Sequence, residues 1–297
     1  MNVTEKYQPC REMREVGYHV RGVDYRICEW GDANQAPVFF LHGWGDVAST
    51  FQFVVDELDD EHRIVAPDWR GFGKSGASGP AYWFPDYMAD LDALLDIYSP
   101  DKPVVLIGHS MGANVAGLYA GALPERVAAF VNIEGFGLAP TDPATAPENY
   151  RRWIKRGRVG ERFSTYASYA DLAARLMGRN PRLTEERALF VAEQWARIDP
   201  DGVVRLRADV AHKLPNAVLY RREEAEACWE AVTARVLLVT GEETDFKPAV
   251  KSWLDPDPER HPFHGAPTEV VPHAGHMVHF DAPDALAAIL GRFLAEV

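Results

Sequence analysis

Ser110 stands between two glycines in Gly108-His109-Ser110-Met111-Gly112. A serine hydroxyl is a weak nucleophile near neutral pH. It attacks a carbonyl only when a base removes its proton, and donors must hold the oxyanion that forms. The apolar run "PVVLIG" before it predicts a buried strand, and the small-residue stretch Met111–Leu123 after it predicts a helix. A strand, a tight turn and a helix lift the hydroxyl above the carboxyl edge of a sheet, and glycines let the backbone close up there. The helix N-terminus also aims its dipole at the same point.

The base is sought in "HAGHMVHFDAP", after the last strand and before the last helix. His276 follows Gly275 in a loop and is the candidate. His273 precedes the glycine turn and His279 leads into the final helix, positions that suit packing or capping. The oxyanion donors are expected from "FFLHGWGD" and from the nucleophile turn. There the amides of Trp44 and Met111 can face the serine, with the Trp44 indole walling the pocket.

Elements that must position these groups follow from periodicity. "REVGYHVRGVDYRICEW" predicts a hairpin about the Arg21–Asp24 turn. "PVFFLHG", "HRIVAPDW", "RVAAFVNIE", "RVLLVTG" and "TEVVPHAG" predict further strands. Helices are predicted at Ser49–Leu58, Phe84–Tyr98 and Asp281–Val297, the last with Asp281 as N-cap and Pro283 in its first turn. Strands without polar alternation, spaced by helices, imply a parallel sheet covered on both faces. The rhythm breaks between about Leu138 and Ala234, where helix formers and aromatic residues carry no buried strand. This divides the chain into a core of residues 1–138 and 234–297 and a helical cap of residues 139–233.

The stretches His42-Gly43, Asp68-Trp69-Arg70-Gly71-Phe72-Gly73-Lys74-Ser75, Gly108-His109-Ser110-Met111-Gly112 and Gly275-His276 resemble the α/β-hydrolase superfamily along nearly the whole chain. The resemblance implies an α/β-hydrolase fold: a mostly parallel eight-stranded sheet flanked by helices, with a helical cap over the serine. It also implies the order serine, acid, histidine. In most members the acid is an Asp three residues after the glycine that ends the seventh strand. Here that glycine is Gly241 and the position holds Thr244, with Asp245 one residue later. Haloalkane dehalogenases place a Glu at the end of the sixth strand, and Glu134 stands in similar register. Asp245 is preferred, with Glu134 kept as its rival. His109, Trp153 and Trp195 join Trp44 as expected substrate contacts.

Gly71-Phe72-Gly73-Lys74-Ser75-Gly76 looks like a phosphate loop, yet Asp68 stands where its longer pattern needs glycine, and no helix opens after it. In the resembling family this segment is a structural turn. His261 and His264 beside Asp255, Asp257 and Glu259 match no standard metal spacing. The basic run Arg151, Arg152, Lys155, Arg156 and Arg158 reads as a solvated helix face. No cofactor and no metal are expected.

The net charge of −13 argues against nucleic acid and anionic membranes as partners. The polar N-terminus lacks a signal-peptide core, and Cys10, Cys28 and Cys228 are few and far apart, so a cytoplasmic protein with reduced thiols is expected. The reading is a serine esterase acting on a small or medium apolar ester through an acyl-enzyme. The alternatives are a C–C bond hydrolase or lactonase with the same triad, or a slow hydrolase serving as a ligand receptor.

Overall fold

The computed structural model describes residues 6–59, 61–79, 81–254, 257, 262–263 and 265–297. The chain opens with the hairpin β1 (Arg14–Val20) and β2 (Val23–Trp30), turning at Arg21-Gly22, both at positive φ. Then come β3 (Pro37–Leu41), a short helix α1 (Gln52–Val55) and β4 (Arg63–Pro67). Next are α2 (Phe84–Tyr98), β5 (Val104–His109), α3 (Met111–Ala122) and β6 (Val127–Ile133). The insertion holds α4 (Ala146–Val159), β7 (Thr165–Tyr166), α5 (Tyr169–Arg179), α6 (Glu185–Trp195), β8 (Ala196–Ile198) and β9 (Val204–Leu206). The chain closes with α7 (Arg222–Glu230), β10 (Arg235–Gly241), α8 (Lys247–Trp253), β11 (Thr268–Val271), α9 (Val278–Asp281) and α10 (Pro283–Leu294).

Eight strands form one sheet in the order β1-β2-β4-β3-β5-β6-β10-β11. The hairpin and the β2–β4 pair are antiparallel, and the remaining pairs are parallel. Alternate residues of each central strand feed opposite faces. Phe39 and Leu41 of β3 pack with Leu91 and Leu94 of α2 and with Val115 and Tyr119 of α3. Val38 and Phe40 pack instead with Val54 of α1 and with Leu290 and Phe293 of α10. Both faces are therefore covered, which explains the lack of polar alternation.

Three details depart from the periodicity. The insertion carries a small antiparallel sheet, β7-β9-β8, whose two- and three-residue strands are too short to leave a pattern. Its last helix, α7, packs on α3 through Trp229, which sits in the core with Phe130 of the sheet. That element packs on the α3 layer of the core. Asp281 is not the N-cap of α10: Ala282 is, with no side-chain bond. The Asp281 carboxylate turns back and accepts from the Gly275 amide at 2.9 Å and from Asn180 Nδ2 at 2.5 Å.

Candidate active site

Ser110 sits at the turn between β5 and α3 with φ 52° and ψ −114°. This is strained backbone for a residue with a Cβ, and its Gly neighbours make it possible. A Cβ at Gly112 would collide with the backbone of Leu41, and one at Gly108 with that of Ala113. The Ser110 amide donates to Ile133 O at 2.8 Å, pinning the turn to β6.

His276 lies between two partners. Its Nε2 is 3.1 Å from Ser110 Oγ and its Nδ1 is 3.0 Å from Glu134 Oε2. The Nδ1 contact fixes the tautomer: Nδ1 carries the proton toward the carboxylate, and Nε2 faces the serine as a base. The loop is held from behind, because His109 Nε2 donates to the His276 carbonyl at 2.8 Å. Asp281 holds the preceding Gly275 amide.

Glu134 follows β6 directly, at φ 57°, and is buried. Its Oε1 accepts from Thr240 Oγ1 at 2.6 Å and from the Gly241 amide at 2.9 Å. Its Oε2 accepts from Thr244 Oγ1 at 2.6 Å in addition to facing His276. Burying a carboxylate is costly unless donors such as these surround it. Asp245, the preferred acid of the sequence reading, is instead exposed to solvent. The correction has a physical cause: Thr244 turns inward as a donor to Glu134, and the next residue turns out.

The expected oxyanion donors come to the same place. A Cβ on Gly43 would sit 3.1 Å from Ser110 Cβ, so the β3 loop runs against the serine. Trp44 follows in a turn closed by the Asp46 amide on Gly43 O at 3.3 Å, which leaves the Trp44 amide outside the turn's own bond. The Met111 amide opens α3, where no carbonyl four residues back can accept it. Trp44, Ser110 and Met111 line one chamber of about 250 Å³, with Tyr82, Tyr87, Asn114 and His212 on its other walls.

Three expected substrate contacts do not line that chamber. His109 is fully buried and spent on the His276 carbonyl, and burial beside His279 and His276 holds its pKa well below the usual histidine range. Trp195 points its indole N–H at Asp46 Oδ1, 2.8 Å away, because a half-buried indole needs an acceptor. Trp153 lies a turn beyond Tyr150 on α4 and lines neither that chamber nor the larger cavity beside it. Sequence reasoning missed His212. Its ring is sandwiched between Phe72 and Tyr82, each with centroids 3.7 Å away, and burial lowers its pKa to about 4. No motif marks it.

The amides of the glycine-rich turn are taken by protein acceptors: Gly71 N bonds Gly76 O, Gly73 N bonds Arg207 O after β9, and Lys74 N bonds Asp68 Oδ2. His261, His264, Asp255 and Glu259 lie outside the described residues. Asp46, His109 and His279 bring potential metal-ligating atoms together, all buried. However, His279 Nε2 and Trp195 already bond the carboxylate, and His109 Nε2 is taken by the His276 carbonyl. Among the described residues, no helix is long and apolar enough to cross a membrane.

The profile of the alpha/beta hydrolase family matches residues 38–289. The chain belongs to that family. A "serine hydrolase-like protein" of Danio rerio is 29% identical over 282 residues, covering 89% of this chain and 83% of the relative. The "2-(acetamidomethylene)succinate hydrolase" of Mesorhizobium japonicum is 26% identical over 261 residues, covering 86% of this chain and 87% of the relative. Among solved structures, the "thioesterase domain from curacin biosynthetic pathway" superposes with a TM-score of 0.82 at 23% identity, covering 94% of this chain and 99% of that one. At that identity the likeness concerns the fold.

Proposed function

We propose that this alpha/beta hydrolase is a serine esterase that works through an acyl-enzyme, with Ser110, His276 and Glu134 as its triad. The observation that carries the reading is the position of His276, 3.1 Å from Ser110 Oγ and 3.0 Å from Glu134 Oε2. Ser110 Oγ attacks the ester carbonyl while His276 Nε2 takes its proton. Glu134 stabilises the resulting imidazolium. The amides of Trp44 and Met111 hold the oxyanion. His276 then gives the proton to the departing alcohol. A water, activated by the same nitrogen, hydrolyses the acyl-enzyme and frees Ser110.

The cap is assigned to residues 139–233, from the segment before α4 through α7. Its contribution to the Ser110 chamber is Ala211, His212, Leu214 and Asn216. The substrate is a small-molecule ester with an apolar acyl part, and no cofactor is used. A cytoplasmic site of action fits the three free cysteines. The deciding experiment pairs a fluorophosphonate probe with a set of chromogenic esters. The probe should add one adduct, on Ser110, and Ser110→Ala should lose both labelling and turnover. An adduct mapped to another residue, or esterase activity retained by Ser110→Ala, contradicts the assignment.

A further inference from the structure

The Ser110 chamber has a larger neighbour. A second cavity of about 680 Å³ adjoins it, and the two share Tyr82, Trp83, Phe84, Ala211, Leu214 and Asn216 as common wall. The larger cavity continues over Met88 of α2, Leu118 of α3, Ala146 and Tyr150 of α4, and Ala217 and Val218 of the loop before α7. The charged residues of its wall, Arg221 and Glu224, are exposed to solvent. Large apolar side chains that stay exposed gather here: Trp44 and Leu138 at the small chamber, Trp83 at both, Tyr150 and Val218 at the large one. Scattered exposed apolar residues mean little, but several of them around two adjacent cavities, one of them lined by Ser110, mark a ligand surface.

Which part of the substrate lies there follows from the histidine. The leaving group must receive its proton from His276 Nε2, so it departs on the His276 side of Ser110. The chamber walls include Trp44, Ser110 and Met111 but not His276. We propose that the two adjacent cavities together form an acyl-chain site, and that the substrate is an ester of an extended apolar acyl chain. This rests on the serine-esterase reading above. The carbonyl end occupies the small chamber beside His212 and Tyr87. The alkyl chain passes the shared aromatic wall into the larger cavity, between α2 and the loop before α7.

The test is a series of p-nitrophenyl esters from acetate to decanoate. Burying each further methylene contributes about 0.8 kcal/mol, so kcat/KM should climb about threefold to fourfold per methylene between butyrate and octanoate. Ala217→Trp and Ala146→Trp, which place an indole in the larger cavity, should each lower the decanoate-to-acetate ratio of kcat/KM at least tenfold. Calorimetric titration of Ser110→Ala protein reads the same site without turnover. Decanoate should bind at least a hundredfold more tightly than butyrate, and the Ala217→Trp substitution should erase that difference. Esters turned over with a flat or falling dependence on chain length overturn the acyl-chain site and leave the esterase reading standing. Decanoate bound with that selectivity while no ester is hydrolysed leaves the site standing and overturns the esterase reading.

Discussion

Thr244 Oγ1 donates to Glu134 Oε2 at 2.6 Å, and that same oxygen faces His276 Nδ1 at 3.0 Å. Thr244, in the loop after β10, is thus a donor to a carboxylate that follows the neighbouring strand β6. One carboxylate oxygen serves both the threonine and the imidazole, while the other is held by Thr240 and the Gly241 amide. Glu134→Gln removes the charge that steadies the imidazolium and puts an amide against donors. Turnover should fall by on the order of 10⁴, the cost of the analogous change in serine proteases. Asp245→Asn should change it by less than about twofold, as for an exposed surface position. Steady-state kinetics of the two variants, with circular dichroism to confirm folding, decide this. A reversed order would return the role to Asp245.

Thr244→Val keeps the side-chain shape and deletes one of the four donors around Glu134. A hydrogen bond to a charged group is worth about 1.5–3 kcal/mol. Urea unfolding should show a loss of that size. Turnover should fall far less than in Glu134→Gln, because His276 keeps its carboxylate. If Thr244→Val were as damaging to turnover as Glu134→Gln, the threonine would have to act on the imidazole directly.

The sequence carried the local parts of this site and not the crossings. Ser110 is legible because strand, turn and helix are contiguous in the chain, and His276 because a glycine loop separates strand from helix. Which carboxylate faces His276 is set by register between strands: Ile133 pairs with Val239, which brings Glu134 beside Thr240 and Gly241. Spacing along the chain does not state which loop residue turns inward, so it favours Asp245 over Glu134 on position alone. Asp281 shows the same limit. Its place before Pro283 suits a cap, but its carboxylate is drawn across to the Gly275 amide and Asn180. Trp195 and His109 were aromatic residues in the right segments, yet each is claimed by a polar partner that only the tertiary structure supplies.

Trp44 contributes two separable things, a main-chain amide and an indole that is 52% exposed over the Ser110 chamber. Trp44→Ala keeps the amide. Losing an oxyanion donor outright costs about 10²–10³ in kcat. We expect Trp44→Ala to lower kcat less than about tenfold while changing the ranking of esters by KM. A uniform loss of about a hundredfold across all esters, in protein that still folds, would show that the indole also fixes the loop's amide.

His212 ties acid stability to the chamber wall. Burial lowers its pKa from 6.5 to about 4, and the charge of Asp209 only partly offsets this. Tyr82 and Phe72 stack on its two faces, Tyr87 OH lies 3.4 Å from Nδ1, and Nε2 lies against the backbone at Gly71. The folded protein resists protonating this ring, whereas the unfolded chain does not. Between pH 6.5 and 4 the unfolded state therefore binds more protons, and stability rises with pH across that window. The penalty is absent above pH 6.5 and complete below about pH 4, where it amounts to at most about 3 kcal/mol. His212→Gln removes the titrating group, while His42 and His109, whose pKa values are also lowered by burial, remain in both proteins. Urea unfolding free energies from pH 7 to pH 4.5 should therefore fall less steeply in His212→Gln than in the parent, with the two slopes converging above pH 6.5. Parallel slopes throughout the window would mean that His212 titrates normally and that the aromatic sandwich does not keep it neutral.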